Sequence, residues 1–186
     1  MPKDMKIYVP DMQRPCLSAV DIEELKLRAD GIILDVDNVT SAFGRDYIPP
    51  ENMTWFQRLR ETNLRRCLAT MNPRPTHIKG ILTQIGEMDV VFGKLLKPLL
   101  AIDYAIGKIG LDPSQIIVVN DLYVVLAYAK TLGCQTIKVE PFLTNEDRGF
   151  RHHVTRLIHF YESRFILPRI LLIQAQQSLK PNIPVS

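Results

Sequence analysis

Residues 31–40 read Gly-Ile-Ile-Leu-Asp-Val-Asp-Asn-Val-Thr, so an apolar run leads directly into two aspartates, Asp35 and Asp37. An unbroken apolar run predicts a strand that is buried on both faces, as in a parallel sheet covered by helices. Carboxylates are costly inside such a sheet, so we expect both at the carboxyl end of the strand, where open α/β sheets bind ligands. Two carboxylates so close attract a divalent cation or share a proton. The alternative is a polar turn that merely ends the strand, because Asp and Asn are common turn formers.

The rest of the chain alternates strand and helix patterns. Further strands are predicted over residues 67–69, 88–92, 115–119 and 135–139. An amphipathic helix is predicted to run from Pro50 through Leu64, and other amphipathic helices lie between the later strands. This alternation predicts one α/β domain of the Rossmann-like type, with a central, mostly parallel sheet flanked by helices and no cap domain. The predicted boundaries are an irregular, proline-punctuated arm over residues 1–20, the domain over 21–146, a basic amphipathic helical segment over 147–180 and a disordered tail over 181–186.

Polar residues recur where the predicted strands end. Asp35 and Asp37 follow the first strand, and a lysine, Lys97, stands at the entry to a later helix. The other polar residues at strand ends are Thr70, Asn72, Asn120 and Asp121. Because the carboxyl ends of parallel strands share one edge, these side chains are expected to converge there.

The amino-acid composition argues against several classes of function. The 186 residues suit a single domain, and a net charge of +3 falls short of a nucleic-acid-binding signature, so no nucleic-acid partner is expected. Three separated cysteines without a CxxC pair indicate reduced thiols instead of disulfides or a zinc site. No secretory signal or membrane span is predicted. We expect a location in the cytoplasm or the interior of an organelle, with peripheral membrane contact as a further alternative.

The polar residues match a known set of motifs. Asp35-Val36-Asp37-Asn38-Val39 resembles the first motif of the haloacid dehalogenase (HAD) superfamily, DxDx(T/V), while Thr70, Lys97 and Asp121 stand where its later motifs place a hydroxyl, a lysine and an acid. Over about residues 7–145 the chain is most similar to the small IIIA-type branch, which contains bacterial and mitochondrial phosphatidylglycerophosphate phosphatases. The resemblance implies an HAD-like fold.

The resemblance also implies a Mg²⁺-dependent phosphatase with an aspartyl-phosphate intermediate. Asp35 would be the nucleophile and Asp37 the general acid and base. The metal would be held by Asp35, by Asp37 through its backbone carbonyl, and by Asp121. The residues that would hold the substrate phosphate are Asn38, Thr70, Asn72 and Lys97. Phosphatidylglycerophosphate is the substrate that the branch implies.

The sequence departs from the family pattern in its later motifs. Leu126 stands in place of a second acid and Val125 in place of a threonine in the fourth motif, and Met71 departs from the second. Loss of a group that holds or orients a metal ligand typically costs ~10–100-fold in affinity or activity. Three interpretations therefore stay open: a lipid phosphatase, a phosphatase of soluble or macromolecular phosphates, and a catalytically weakened or inactive relative that acts as a binding or assembly partner.

The segment over residues 147–180 mixes arginines with apolar residues. Such a basic amphipathic segment can lie on an anionic membrane surface. Alternatively, it forms a helix that packs on the sheet or on another protomer. A homo-oligomer or a protein partner is thus a further expectation.

Overall fold

The computed structural model describes residues 9–72, 74–93 and 99–142, together with residues 153, 157, 160–162 and 164. Six strands form one sheet in the order β1-β6-β5-β2-β3-β4. The strands are β1 (Met12–Arg14), β2 (Gly31–Asp35), β3 (Arg65–Thr70), β4 (Asp89–Phe92), β5 (Ile116–Asn120) and β6 (Gln135–Val139). The helices are α1 (Ile22–Arg28), α2 (Pro50–Arg60), α3 (Pro75–Ile85), α4 (Leu100–Ile109) and α5 (Tyr123–Thr131), with short 3₁₀ helices at Leu17–Ala19 and Pro113–Gln115.

Every neighbouring pair of strands is parallel, which confirms the predicted α/β class with a parallel sheet. Side chains of β2 alternate between two cores, as a strand covered on both faces requires. Ile32 and Leu34 pack in the core formed with α1, α2 and α3. Ile33 packs in the core formed with α4 and α5. The apolar run of β2 is therefore buried on both sides.

The strand order reverses direction beside β2. The chain runs from β2 to β3 and β4 on one side, then returns to place β5 on the other side of β2. Open α/β sheets bind ligands at such a switch point, outside the carboxyl ends of the strands. Leu34 pairs with Val119 of β5, and Asp35 pairs with Ala69 of β3, so Asp35 ends its strand at this switch point.

Two local predictions are wrong. Met12–Arg14, expected to lie in an irregular arm, forms the edge strand β1 and pairs with β6. Three residues are too few to show a strand pattern, and their strand conformation comes from hydrogen bonding to β6. Asp11 assists this pairing, because its Oδ2 accepts hydrogen bonds from the backbone N–H and the hydroxyl of Thr136. The helix predicted to reach Leu64 ends at Arg60.

No cap domain interrupts the described part of the sheet. Residues 36–49 between β2 and α2 form a loop, and β3 and β4 are joined through α3 alone. Within the described residues, no helix is both long enough and apolar enough to span a membrane. Lys97 and most of the predicted 147–180 segment, as well as the 181–186 tail, lie outside the described residues.

Candidate active site

The chain turns sharply after β2. The backbone oxygen of Val36 accepts hydrogen bonds from the backbone N–H groups of Thr40 and Ser41 at 3.1 and 3.0 Å. The Thr40 hydroxyl donates to the backbone oxygen of Asp35 at 2.7 Å. These bonds fold residues 36–41 into a compact turn, so that Asp37 and Asn38 lie just beyond the strand end.

Asn38 connects this turn to the end of β5. Its backbone is left-handed, with φ 66°, a conformation that Asn adopts more readily than most residues. Its Nδ2 atom donates to Oδ2 of Asp121 at 3.0 Å, and its backbone oxygen accepts from the N–H of Phe142 at 2.7 Å. Asn38 was predicted to hold the substrate phosphate. The structure places its amide on Asp121, which is 1% exposed.

Asp35 is held from two sides. Its Oδ2 atom accepts a hydrogen bond from Nδ2 of Asn120 at 2.8 Å, and its Oδ1 atom accepts from the backbone N–H of Val36 at 2.7 Å. Burial raises the pKa of Asp35 well above its usual range, and the nearby charges of Asp121 and Asp37 raise it further. The site therefore concentrates negative charge that a bound cation would offset.

The carboxylates at this edge of the sheet form a candidate donor set for Mg²⁺. Among the described residues, no three His, Cys, Asp or Glu side chains are arranged to hold a metal ion together. Mg²⁺ needs fewer, since one or two carboxylates with waters and substrate phosphate complete its coordination. Asp35 and Asp121 supply hard oxygen donors and are close enough for Asp121 to raise the pKa of Asp35. The residues thus fit Mg²⁺, and coordination by the Asp37 carbonyl stays a prediction.

Asp37 has a buried histidine beside it. Its Oδ1 atom accepts a hydrogen bond from the backbone N–H of Gly44 at 2.6 Å. The same oxygen lies 3.7 Å from Nε2 of His77, which is 4% exposed and belongs to α3. On its other side, Nδ1 of His77 is 2.6 Å from Oδ1 of Asp46. Among the described residues, Nε2 of His77 is a buried side-chain atom without a hydrogen-bond partner.

Thr70 and Asn72 lie at the end of β3, next to β2. Thr70 is 1% exposed, and its Oγ1 atom accepts a hydrogen bond from the backbone N–H of Asn72 at 3.0 Å. Oδ1 of Asn72 accepts from the backbone N–H of Arg74 at 3.2 Å. These bonds shape the turn that follows β3. Contact with a phosphate stays a prediction for both residues, as it does for Lys97, which is outside the described part of the chain.

The departure at Leu126 has a structural reason. This residue of α5 is fully buried in the core that also contains Ile33 and Val118. A carboxylate there would be desolvated inside an apolar core. The carboxylate found beside α5 belongs to Glu162 instead, whose Oε2 and Oε1 atoms accept from the backbone N–H groups of Tyr123 and Val124.

Three residues near the site received no role from the sequence: Asn120, His77 and Glu162. A polar residue ending a β-branched strand was a usable signal for Asn120. His77 lies on the buried face of an amphipathic helix, where a lone histidine gives no distinctive pattern. Glu162 is far from α5 in sequence, so no local spacing indicates their contact.

A cavity of about 610 Å³ opens elsewhere, at the amino ends of β3 and β4. Its lining includes Arg65, Arg66 and Lys108. The two arginines donate to the backbone oxygens of Ile109 and Leu59, near the ends of α4 and α2. None of the predicted site residues lines this cavity.

No family model and no curated protein sequence matches the chain. The solved structures that are similar to it include the following three. The cobalt-bound deoxy-D-mannose-octulosonate 8-phosphate phosphatase of Haemophilus influenzae has 15% identity and a TM-score of 0.49, over 62% of this chain and 70% of that one. An uncharacterized protein of Corynebacterium glutamicum has 17% identity and a TM-score of 0.46, over 71% of this chain and 94% of that one. A hypothetical protein of Xanthomonas campestris has 17% identity and a TM-score of 0.46, over 68% and 74%.

Proposed function

We propose that the protein is a Mg²⁺-dependent phosphatase that hydrolyses a phosphomonoester through a phosphorylated Asp35. One observation carries the proposal: Asp35 ends the central strand at the switch point of the sheet, with the charges of Asp37 and Asp121 both acting on it. A concentration of carboxylates at this place suits divalent-cation and phosphoryl chemistry. The resemblance of residues 35–39 to the first HAD motif supports the same reaction.

The proposed reaction has two steps. Asp35 attacks the phosphorus atom, and the bond between phosphorus and the leaving oxygen breaks while Asp37 gives that oxygen a proton. Asp37 then takes a proton from water, which attacks the phosphorus of the aspartyl phosphate. This step releases inorganic phosphate and restores Asp35.

The surrounding side chains suit these roles. Asn120 and the backbone N–H of Val36 fix the orientation of the Asp35 carboxylate, while Gly44 and His77 lie against Asp37. When bound at Asp35 and Asp121, Mg²⁺ would supply positive charge that offsets the carboxylates and the charge developing on the phosphoryl oxygens. Thr70, Asn72 and Lys97 are the proposed contacts of those oxygens.

The proposed substrate class is a lipid phosphate such as phosphatidylglycerophosphate. Its support comes from the resemblance to the IIIA-type branch and from the absence of a cap domain over the described site. The described residues of the C-terminal segment add a second support. Leu157, Phe160 and Tyr161 are exposed at helical spacing and Arg164 is exposed beside them, a pattern that suits an anionic membrane surface.

A binding protein without catalysis is the second candidate. The observation that favours it is the fully buried Leu126 in place of an acid, together with the amide of Asn38 bonded to Asp121. In that case the same edge of the sheet would bind a phosphorylated ligand or a protein partner without turnover.

Phosphate release tests the proposed reaction. We expect the wild type to release phosphate from a generic phosphomonoester and from phosphatidylglycerophosphate only with Mg²⁺, and we expect Asp35→Asn to release none. Asp112→Asn is the matched control, because Asp112 lies in the turn before β5, at the opposite end of that strand from the site. A folded wild type that releases no more phosphate than Asp35→Asn would support the binding protein.

Co-sedimentation with anionic vesicles tests the lipid class separately. The lipid proposal predicts that the wild type sediments with vesicles containing phosphatidylglycerol and prefers the lipid substrate. Hydrolysis of soluble esters without vesicle binding would instead indicate a soluble phosphate as the substrate.

A further inference from the structure

Helix α5 has no cap of its own. The residue before its first turn is Leu122, whose side chain makes no capping hydrogen bond, and its first turn contains no acidic residue. The first N–H groups of a helix need acceptors from outside the helix. Ser, Thr, Asp and Asn are preferred at the residue just before the first turn because their side chains supply such acceptors, but α5 has Leu122 there.

Glu162 supplies the missing acceptors from the C-terminal segment. Its Oε1 atom lies 3.1 Å from the backbone nitrogen of Val124, and its Oε2 atom lies 3.3 Å from that of Tyr123. The side chain is buried, with 3% of its surface exposed. A carboxylate at this end of a helix also interacts favourably with the helix dipole. Glu162, which is distant from α5 in sequence, therefore acts as the N-cap of this helix.

The N-terminus of α5 is connected to both predicted metal-binding carboxylates. Asp121 lies two residues before the helix, and the backbone N–H of Leu122 donates to Oδ1 of Asn120 at 2.7 Å. The amide of Asn120 in turn donates to Asp35. A shift at the start of α5 therefore moves Asp121 directly and reaches Asp35 through Asn120.

We propose that Glu162 is a positioning residue for the cation site, which it completes by fixing the start of α5. The inference rests on the proposed function, since it assumes that Asp35 and Asp121 hold Mg²⁺. Glu162 does not itself need to touch the cation. Its carboxylate acts through the two N–H groups, and these hold the turn that carries Asp121.

Mg²⁺ affinity without substrate tests the proposal. Isothermal titration of the full-length protein with magnesium chloride should give a dissociation constant that is ~10–100-fold higher for Glu162→Ala than for the wild type. Glu162→Gln keeps one acceptor oxygen and nearly the same volume, so its dissociation constant should lie between the two. Asp21→Ala is the matched control: Asp21 caps α1 on the other face of the sheet, and its loss should leave Mg²⁺ affinity unchanged.

Hydrogen exchange gives a second readout that needs no metal. In Glu162→Gln, the peptide covering residues 120–124 should exchange faster than in the wild type, whereas Asp21→Ala should change only the start of α1. A wild type that binds Mg²⁺ while folded Glu162→Gln and Glu162→Ala bind it equally well would overturn the positioning role and leave the proposed phosphatase intact. A wild type that binds no Mg²⁺ would overturn both.

Discussion

His77 of α3 points its Nε2 atom at Oδ1 of Asp37 across 3.7 Å, a distance too long for a hydrogen bond. An unpaired buried polar atom costs about 1–3 kcal/mol, so its presence beside the proposed acid calls for an explanation. The other ring nitrogen is held by Asp46, which fixes the direction of the imidazole. We interpret His77 as a group that keeps the Asp37 carboxylate in place.

Replacing His77 by Phe tests this interpretation. The ring shape is retained and both nitrogen contacts are lost, so Asp37 is less well oriented while the core stays filled. We expect kcat to fall about 10–100-fold, part of the 10²–10⁴-fold that a positioned acid contributes. The free energy of unfolding in urea should change little, because the substitution removes the unpaired Nε2 atom as well as the contact between Nδ1 and Asp46. Asp46→Asn, which keeps a polar partner for Nδ1, should lose less activity. An unchanged kcat in folded His77→Phe would contradict the interpretation.

Gly80 offers a subtler perturbation of the same contact. A Cβ atom at Gly80 would lie 3.2 Å from both Cγ and Oδ2 of Asp46, so Asp46 must move by a few tenths of an ångström. Gly107 of α4 is a matched control, because a Cβ there meets no heavy atom within 4 Å. Both Gly→Ala changes favour the helix by about 0.5–1 kcal/mol. We expect thermal melting to show that Gly107→Ala is more stable than the wild type, with unchanged kcat. For Gly80→Ala we expect kcat to fall roughly 2–10-fold, which is well below the loss that a 1 Å misplacement of a catalytic group causes. Equal kcat values in the two variants would exclude a role for the Asp46 position.

The sheet was predictable because its signal is local. An apolar run such as Ile32–Leu34 is typical of a strand that is covered by helices on both faces of the sheet. Because Asp35 follows this run in sequence, it must lie at the carboxyl end of the strand, where such sheets bind ligands. Strand β1 was not predictable, because Met12–Arg14 shows no pattern of its own and depends on pairing with β6. The local pattern of apolar residues indicates which side chains are buried, but it does not indicate which distant strand will pair with a given segment.

The interior of the site was less predictable for the same reason. The contacts of His77 come from the loop over residues 41–49 and from the turn after β2, and neither is close to it in sequence. Asn38 has features of a turn residue, but only the folded sheet brings Asp121 within reach of its amide. Sequence therefore indicated which residues end the strands, while their mutual contacts needed the fold.

Asn38 allows its backbone and its amide to be tested separately. Both Asn38→Gly and Asn38→Ala remove the hydrogen bond to Asp121, but only glycine adopts φ 66° without strain. We expect urea denaturation to show Asn38→Ala about 1–2 kcal/mol less stable than Asn38→Gly. Mg²⁺ affinity should weaken to a similar extent in both, since the lost amide orients Asp121. Equal stabilities would mean that the turn relaxes to a conformation that alanine accepts.

The raised pKa of Asp35 predicts how stability depends on pH. Burial, Asp121 and Asp37 together disfavour its charged form in the folded protein, whereas the unfolded chain ionises near the ordinary value of about 3.9. The folded state therefore holds the Asp35 proton more tightly, and the wild type loses stability as the pH rises from that value through the folded pKa.

The variant Asp35→Asn tests this pH dependence, because its side chain carries no charge. In metal-free protein, the melting temperature of Asp35→Asn minus that of the wild type should increase as the pH rises above about 4, until the folded pKa of Asp35 is passed. A lost hydrogen bond to Asn120 or Val36 would shift this difference by a constant and leave its slope unchanged. Mg²⁺ should raise the melting temperature of the wild type at pH 8 and affect Asp35→Asn much less. A difference that stays constant or decreases with pH would show that the Asp35 charge is already balanced in the metal-free site.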